Sequence, residues 1–291
     1  MRRVILILGV FVLLTASTRA QNPSTVSVLD FGETPFAKQT AANLRERLRV
    51  TVELLVADAD LSRAAAKGSG YSGSLNLSVS EARDLGAALA TDFYILGDAQ
   101  TLRRSSFARP VYHESYCSIF VVSSRTGRLI MWYRPSFEDD KASDAEKRLE
   151  EGLSRETIHK TLIAIRSARE DERNQRAMVG PDSELLIEEA PDDERVAEVQ
   201  GVRLPRPYAR LRPDYPESAA RAEAEGTVDV LVDVRADGEV GDVRIARWAG
   251  FGLDEITVAT VRKMHFFPAM KNGTAIAMRV LLRYNFRKPP R

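Results

Sequence analysis

The sequence predicts an α+β protein built from two folded units, an amino-terminal α/β-type layered domain and a small carboxy-terminal β-β-α-β domain. Three observations point to this. From Thr227 to Phe286 the apolar pattern runs at period 2, switches to a helical stripe, and returns to period 2. From Thr25 to about position 170, short apolar runs alternate with longer helical patterns. Between these regions, positions 181 to 200 carry eight acidic residues and one arginine, and 201 to 213 carry four arginines and no acid.

Residues 1–20 have the marks of a secretory signal peptide. Arg2 and Arg3 precede the apolar run Val4 to Leu14, and Thr18-Arg19-Ala20 places a small residue before Gln21. The run falls short of the roughly 20 apolar residues that a bilayer-spanning helix needs. No cysteine lies near the cut to carry a lipid. The expectation is a cleaved leader and a periplasmic chain; the alternative is a retained leader that anchors the protein in the inner membrane, facing the periplasm. The full chain has a net charge of +1, and loss of Arg2, Arg3 and Arg19 brings it to about −2. Such a balance supplies no field that would draw the chain to nucleic acid or to an anionic membrane. Cys117 is the single cysteine, so no intramolecular disulfide can form, and it is expected as a buried, inert thiol.

The amino-terminal domain is expected over residues 21–169. Thr25 to Phe31 reads as a buried first strand, and a helix follows from Ala37 to Leu48 with Ala37, Ala41, Leu44 and Leu48 on one face. Thr51 to Val56 is a short strand, and Gly68 to Gly73 a mobile loop. Ser80 is read as the cap of a helix through Ala90, with Glu81 in its first turn. Asp92 to Gly97 is a second buried strand. A hairpin of Tyr112–Ser123 and Arg128–Arg134 turns at Arg125-Thr126-Gly127, and a charged helix from Ser143 to Arg169 closes the unit.

Residues 170–207 are expected as a charged flexible linker with too little apolar surface to order itself. As a coil it would span on the order of 35 Å. Leu185-Leu186-Ile187 is its one short sticky stretch. The carboxy-terminal domain occupies 208–291. Val228, Val230, Val232 and Val234 form one face of its first strand, and Ala236-Asp237-Gly238-Glu239 supplies the turn, with Gly238 free to take a positive φ. The return strand carries Val243 and Ile245 on one face. Leu253, Ile256, Thr257, Thr260, Val261 and Met264 make the helical stripe, with Asp254 and Glu255 in the first turn and Pro268 as the stop. In the last strand Met278, Val280, Leu282, Tyr284 and Phe286 point inward, and Arg279, Leu281, Arg283 and Asn285 outward.

The sequence carries no catalytic constellation. His113, His159 and His265 are dispersed, and His113 and Cys117 on one strand face lie about 13 Å apart, too far to share a metal. There is no Gly-x-Ser-x-Gly, phosphate-binding glycine loop or His-Glu-x-x-His. Glu138, Asp139 and Asp140 are the one carboxylate group that invites a divalent cation, and on a loop such groups are ordinarily just solvated. Phe120, Trp132 and Tyr133 read as strand core. The expectation is therefore no enzyme, no cofactor and no metal.

Asp214-Tyr215-Pro216, Glu225-Gly226-Thr227-Val228, Asp237-Gly238, Leu253-Asp254-Glu255 and Phe267-Pro268-Ala269 stand in an order and spacing that resembles the TonB carboxy-terminal domain. That resemblance covers about a quarter of the chain. It implies a periplasmic module that captures an extended segment of an outer-membrane receptor, or of a periplasmic protein, by adding it as a strand to the sheet edge. The implied partner-binding residues are Tyr215, Pro216, Arg279, Val280, Leu281, Leu282, Arg283, Tyr284 and Asn285; arginines on an exposed edge also guard against aggregation, so a protected edge is the alternative reading of the last strand. One position departs from the family: Asp214 stands where an amide precedes Tyr-Pro, replacing a donor–acceptor with an acceptor-only group. A TonB energy transducer also needs an inner-membrane helix and a long proline-rich spacer, and neither is evident. In the amino-terminal half, SVLDF and LGAALATDFYILGDA resemble envelope-assembly domains of the TolB amino-terminal and curli-secretion type, which implies docking or assembly. The resulting expectation is a non-enzymatic periplasmic interaction protein. The alternatives are an energy transducer with a retained anchor and a self-assembling envelope protein that pairs two copies through the exposed edge.

Overall fold

The computed structural model describes residues 22–153, 155–178, 187–191 and 194–288. The leader and Leu185-Leu186 lie outside the described residues.

The amino-terminal domain is a sheet covered on both faces. Its elements are β1 (Ser24–Val28), α1 (Pro35–Arg49), β2 (Leu54–Val56), α2 (Ala59–Gly68), α3 (Val79–Leu89), β3 (Phe93–Arg104), β4 (Tyr112–Ser123), β5 (Leu129–Tyr133), β6 (Ser136–Asp139), α4 (Ala142–Gly152) and α5 (Arg155–Met178). The strand order is β2-β1-β3-β4-β5, with β6 also pairing β4. β1 runs parallel to β2 and β3, while β3, β4, β5 and β6 are antiparallel. Helices α1, α4 and α5 cover one face: Leu44, Leu48, Leu149, Leu153 and Ile165 pack on Val26, Val28, Ile95, Ile119 and Val121. Cys117 is fully buried there, and burial pushes its thiol well above the usual range.

Several elements differ from the sequence expectation. The strand expected at Asp92 to Gly97 continues to Arg104, because β3 and β4 pair over twelve positions in one long hairpin. Helix α2 has no counterpart in the sequence expectation: Asp58 caps it, accepting from Asp60 N and Leu61 N, just ahead of the glycine-rich stretch. The cap of α3 is Ser78 rather than Ser80, in a capping box with Glu81. The single charged helix expected at 143–169 is two helices, α4 and α5, the second reaching Met178.

In its described residues, the stretch 170–207 expected as coil takes up regular structure instead. Its first residues belong to α5. Beyond them lie β7 (Glu188–Glu189), α6 (Glu194–Val199), β8 (Val202–Arg203) and β9 (Arg206–Pro207). This ordering comes from tertiary contact rather than local periodicity. Ala197 and Val202 are buried against Ala269 and Met278, and β8 and β9 take ladder partners from the carboxy-terminal domain.

That domain continues with α7 (Glu217–Ala222), β10 (Gly226–Val234), β11 (Val240–Arg247), α8 (Leu253–Val261), β12 (Phe266–Phe267), β13 (Ala269–Lys271), β14 (Thr274–Ile276) and β15 (Met278–Phe286). The sheet order is β11-β10-β15-β7. Val228, Val230, Val232 and Val234 are fully buried, and α8 packs Leu253, Thr257 and Val261 toward them. Gly238 takes φ +86°, as its turn requires.

The two domains are docked through the loop after β11. The amino-terminal sheet's second face is covered by α2 and α3 and, unexpectedly, by Trp248. Trp248 is 1% exposed, stacks on Phe120 at 6.1 Å, and donates from Nε1 to the Gly127 carbonyl at 3.1 Å. Phe251 meets Phe120 and Trp132 at 5.4 and 5.6 Å. Gly250, at φ +75°, lies against Phe120, where a Cβ would come within 2.5 Å of the ring. Asn76 clamps the seam: its Nδ2 donates to the Thr227 and Trp248 carbonyls at 2.8 and 2.6 Å, and its Oδ1 accepts from Thr227 N at 2.9 Å. Asp254 holds the loop by accepting from Ala249 N and Gly250 N, both at 2.8 Å. Burial outweighs those two donors and raises its carboxyl to about 7.

Candidate partner-binding edge

β15 pairs with β10 in unbroken antiparallel register from Gly226↔Phe286 to Val234↔Met278. Its other side forms the edge. The Arg279 carbonyl accepts from Ala190 N at 2.8 Å and the Arg283 carbonyl from the Arg210 guanidinium at 3.2 Å, both on the side away from β10. Strand alternation then places the N–H and C=O of Arg279, Leu281, Arg283 and Asn285 on the outer edge, and those of Val280, Leu282 and Tyr284 in the ladder with β10. The ladder with β7 covers Met278 and Arg279 only, so positions 280–286 have no strand on their outer side among the described residues.

The side chains divide in the same way. Val280, Leu282 and Tyr284 pack into the carboxy-terminal core. Leu281 stands 52% exposed, and Asn285 accepts from Thr227 Oγ1 at 2.9 Å on the open face. The arginines have a structural task that sequence spacing did not reveal. Arg279 forks onto Asp233 at 2.6 and 3.0 Å, and Arg283 onto Asp229 at 2.8 and 2.9 Å. Both aspartates are nearly buried. Pairs at non-hydrogen-bonded positions approach closely, which suits a bidentate fork. The rows extend sideways, with Arg244 3.7 Å from Asp233, and Arg247 3.5 Å from Asp229 and 3.1 Å from Glu81 of α3. The Asp229 carboxylate holds the Arg283 guanidinium above its usual range.

Tyr215 and Pro216 sit away from this row. The Tyr215 hydroxyl donates to the Ala224 carbonyl at 2.6 Å, which ties the entry segment to the start of β10. Pro216 is the N-cap residue of α7. The geometry therefore brings together Arg279, Leu281, Arg283 and Asn285 on the outer edge, places Val280, Leu282 and Tyr284 behind it, and gives Tyr215 and Pro216 a bracing position.

Sequence reasoning missed two neighbours of the edge. Glu188-Glu189 pairs with it in parallel, with Glu188 2.5 Å from Lys271 and Glu189 3.8 Å from Arg279. The only sequence signal was an acidic pair in a segment read as coil. Arg210, from the arginine-rich stretch, caps an edge carbonyl.

Elsewhere, Glu138 and Asp140 are held by Arg109, and Asp139 by Arg148. No three His, Cys, Asp or Glu side chains are grouped to hold a metal ion among the described residues. Nor is any described helix long and apolar enough to cross a membrane.

Residues 212–287 match the family model of the Gram-negative bacterial TonB protein C-terminal domain. Protein TonB of Klebsiella pneumoniae is 30% identical over 81 residues, covering 28% of this chain and 33% of that protein. Protein TonB of Klebsiella aerogenes is 32% identical over the same length and coverage. The chain thus spans about a third of the length of the curated relatives it matches. Among solved structures, the TonB carboxy-terminal domain of Pseudomonas aeruginosa is 24% identical, covers 30% of this chain and 89% of that chain, and has a TM-score of 0.26. The hypothetical protein CT253 of Chlamydia trachomatis is 13% identical, with coverage of 47% and 96% and a TM-score of 0.33. The family match and the spaced motifs fall on the same stretch of chain, and residues 212–287 are a TonB C-terminal domain.

Proposed function

We propose that this is a non-enzymatic envelope protein whose TonB-type domain binds an extended segment of an outer-membrane or periplasmic partner by strand addition to β15. The observation that carries the proposal is the outer edge at 280–286, where Leu281, Arg283 and Asn285 direct main-chain groups away from β10 and no strand among the described residues covers them. Main-chain bonds to such an edge supply affinity, and alternate side chains supply selectivity. The opposite edge is less suited, because Arg247 at the end of β11 bridges Ser78 of the amino-terminal domain. In this proposal the amino-terminal domain is a rigid mount that holds β15 in a fixed orientation through Trp248.

Leu281→Pro tests it. Proline at an outward position removes an edge donor but no bond to β10, whereas proline at Val280 or Leu282 would break the ladder itself. The full chain should recover a partner from a Gram-negative envelope extract, and Leu281→Pro should lose it while keeping its fold by circular dichroism. Undiminished recovery by Leu281→Pro would contradict strand addition. A dimer that Leu281→Pro dissociates would instead favour self-assembly through the same edge.

A further inference from the structure

We infer that β7 is an internal guest. Glu188 to Ala190 occupies the first positions of the receiving edge, shows the chemistry that edge accepts, and must be displaced or extended by a partner. This rests on the strand-addition proposal and adds to it the partner's charge, its direction and a self-inhibited state.

Three features carry the inference. First, the contact is a strand addition already made by the chain to itself: Met278↔Glu188 and Arg279↔Glu189 are parallel partners, and Ala190 N donates to the Arg279 carbonyl at 2.8 Å. Second, it is matched in charge. Glu188 reaches Lys271 at 2.5 Å and Glu189 lies 3.8 Å from Arg279. Arg210 carries positive charge further along the edge, donating to the Arg283 carbonyl. Arg279 and Arg283 fork onto Asp233 and Asp229 and neutralise them, so neither aspartate repels an added acidic strand, and the positive charge that strand meets beyond these pairs is that of Lys271 and Arg210. Third, β7 is held in place. Ala190, Ala197, Val202 and Leu204 share a small apolar cluster with Ala269, Met278, Ile276 and Val280, and β8 is fixed to Met270 and Lys271. Such a short tether keeps β7 at an effective concentration in the millimolar range beside its edge.

The partner this edge fits is therefore an acidic extended segment running parallel to β15, with glutamate or aspartate at the positions facing Lys271 and Arg279. A partner competing with β7 loses apparent affinity by the fraction of edge left open. A self-paired state held about ten to one would weaken it roughly tenfold.

The test uses the isotopically labelled full chain and two synthetic peptides, GSIEEAPSG, which repeats residues 187–191, and its charge-reversed form GSIKKAPSG. Each is titrated at millimolar concentration into wild type, Ala190→Pro, and the double variant Glu188→Lys with Glu189→Lys. Ala190→Pro removes the N–H that bonds Arg279 without changing charge; the double variant reverses the charge without touching that donor. The expected result is amide shifts along 279–285 with the acidic peptide, about tenfold tighter in both variants than in wild type, and little response to the basic peptide. Shifts at those amides with equal affinity in wild type and variants, or with no preference between the peptides, would overturn the internal-guest inference and leave strand addition standing. No shifts along β15 in any of the three proteins would overturn both.

Discussion

Trp248→Ala tests whether the TonB-type domain is fixed to the amino-terminal domain or merely follows it. Trp248 belongs to the carboxy-terminal domain in sequence but to the amino-terminal core in space, buried with Phe120, Leu85, Leu89 and Val122. A buried tryptophan removes about 150–250 Å² from water, which at 25 cal/mol/Å² amounts to about 4–6 kcal/mol. Truncations of this kind typically cost about 3–5 kcal/mol because the site partly collapses. The valine-lined core under α8 does not include Trp248 and should keep its own stability. The loss should therefore fall on the amino-terminal domain and on the coupling between the two. Wild type should unfold in urea as one transition by circular dichroism and by tryptophan fluorescence. With an m-value of about 2 kcal/mol/M, Trp248→Ala should lower the amino-terminal midpoint by about 2 M and separate a second, carboxy-terminal transition. Trp248→Phe keeps the ring contact and loses the bond to Gly127, so it should cost about 1–2 kcal/mol. A single transition for Trp248→Ala, shifted by less than about 0.5 M, would refute the docked arrangement.

Further outcomes follow from the same geometry. Asn76→Ala removes three bonds across the seam and strands main-chain groups of Thr227 and Trp248; it should cost about 2–4 kcal/mol and accelerate amide exchange at Thr227. Asp254 titrates near 7 in the folded chain against 3.8 as an ordinary carboxyl. Its contribution to stability is complete below about pH 4, falls as pH rises toward 7, and is flat above that. Urea midpoints between pH 5 and 8 should show this decline, on the order of a few kcal/mol at most, and midpoints that rise across the window would contradict it. Reversing Arg279 and Arg283 to glutamate sets like charges against nearly buried Asp233 and Asp229. The double variant should lose several kcal/mol, so any loss of partner binding in it would follow from unfolding; a melt unchanged within about 1 °C would show that these forks contribute nothing.

The carboxy-terminal domain was legible because its core depends on local alternation: four valines at period 2 dictate one buried face, and Met278 to Phe286 dictates the next. The inward and outward assignment of β15 followed from the same rule. The features that were not legible depend on distant partners. Nothing near Trp248 in sequence distinguishes a tryptophan buried in its own domain from one that fills another. Glu188-Glu189 looks like solvated charge until Lys271 and Arg279 are placed beside it. The arginines of β15 read equally well as edge protection or as partner contacts, and only the register with Asp229 and Asp233 shows them committed within the sheet. Helix α2 was hidden by the glycines that end it, and the reach of β3 past Gly97 by polar residues that pair with β4 instead of filling a core.

The measurement closest to the central claim is site-specific photocrosslinking along β15 in intact envelopes, with the reactive group placed in turn at Leu281, Leu282, Tyr284 and Asn285. Strand addition predicts partner crosslinks from the outward positions Leu281 and Asn285, absent from the core-facing Leu282 and Tyr284, and abolished at Asn285 by Leu281→Pro. Crosslinks without that alternation, or ones that persist in Leu281→Pro, would show that the partner meets the protein elsewhere.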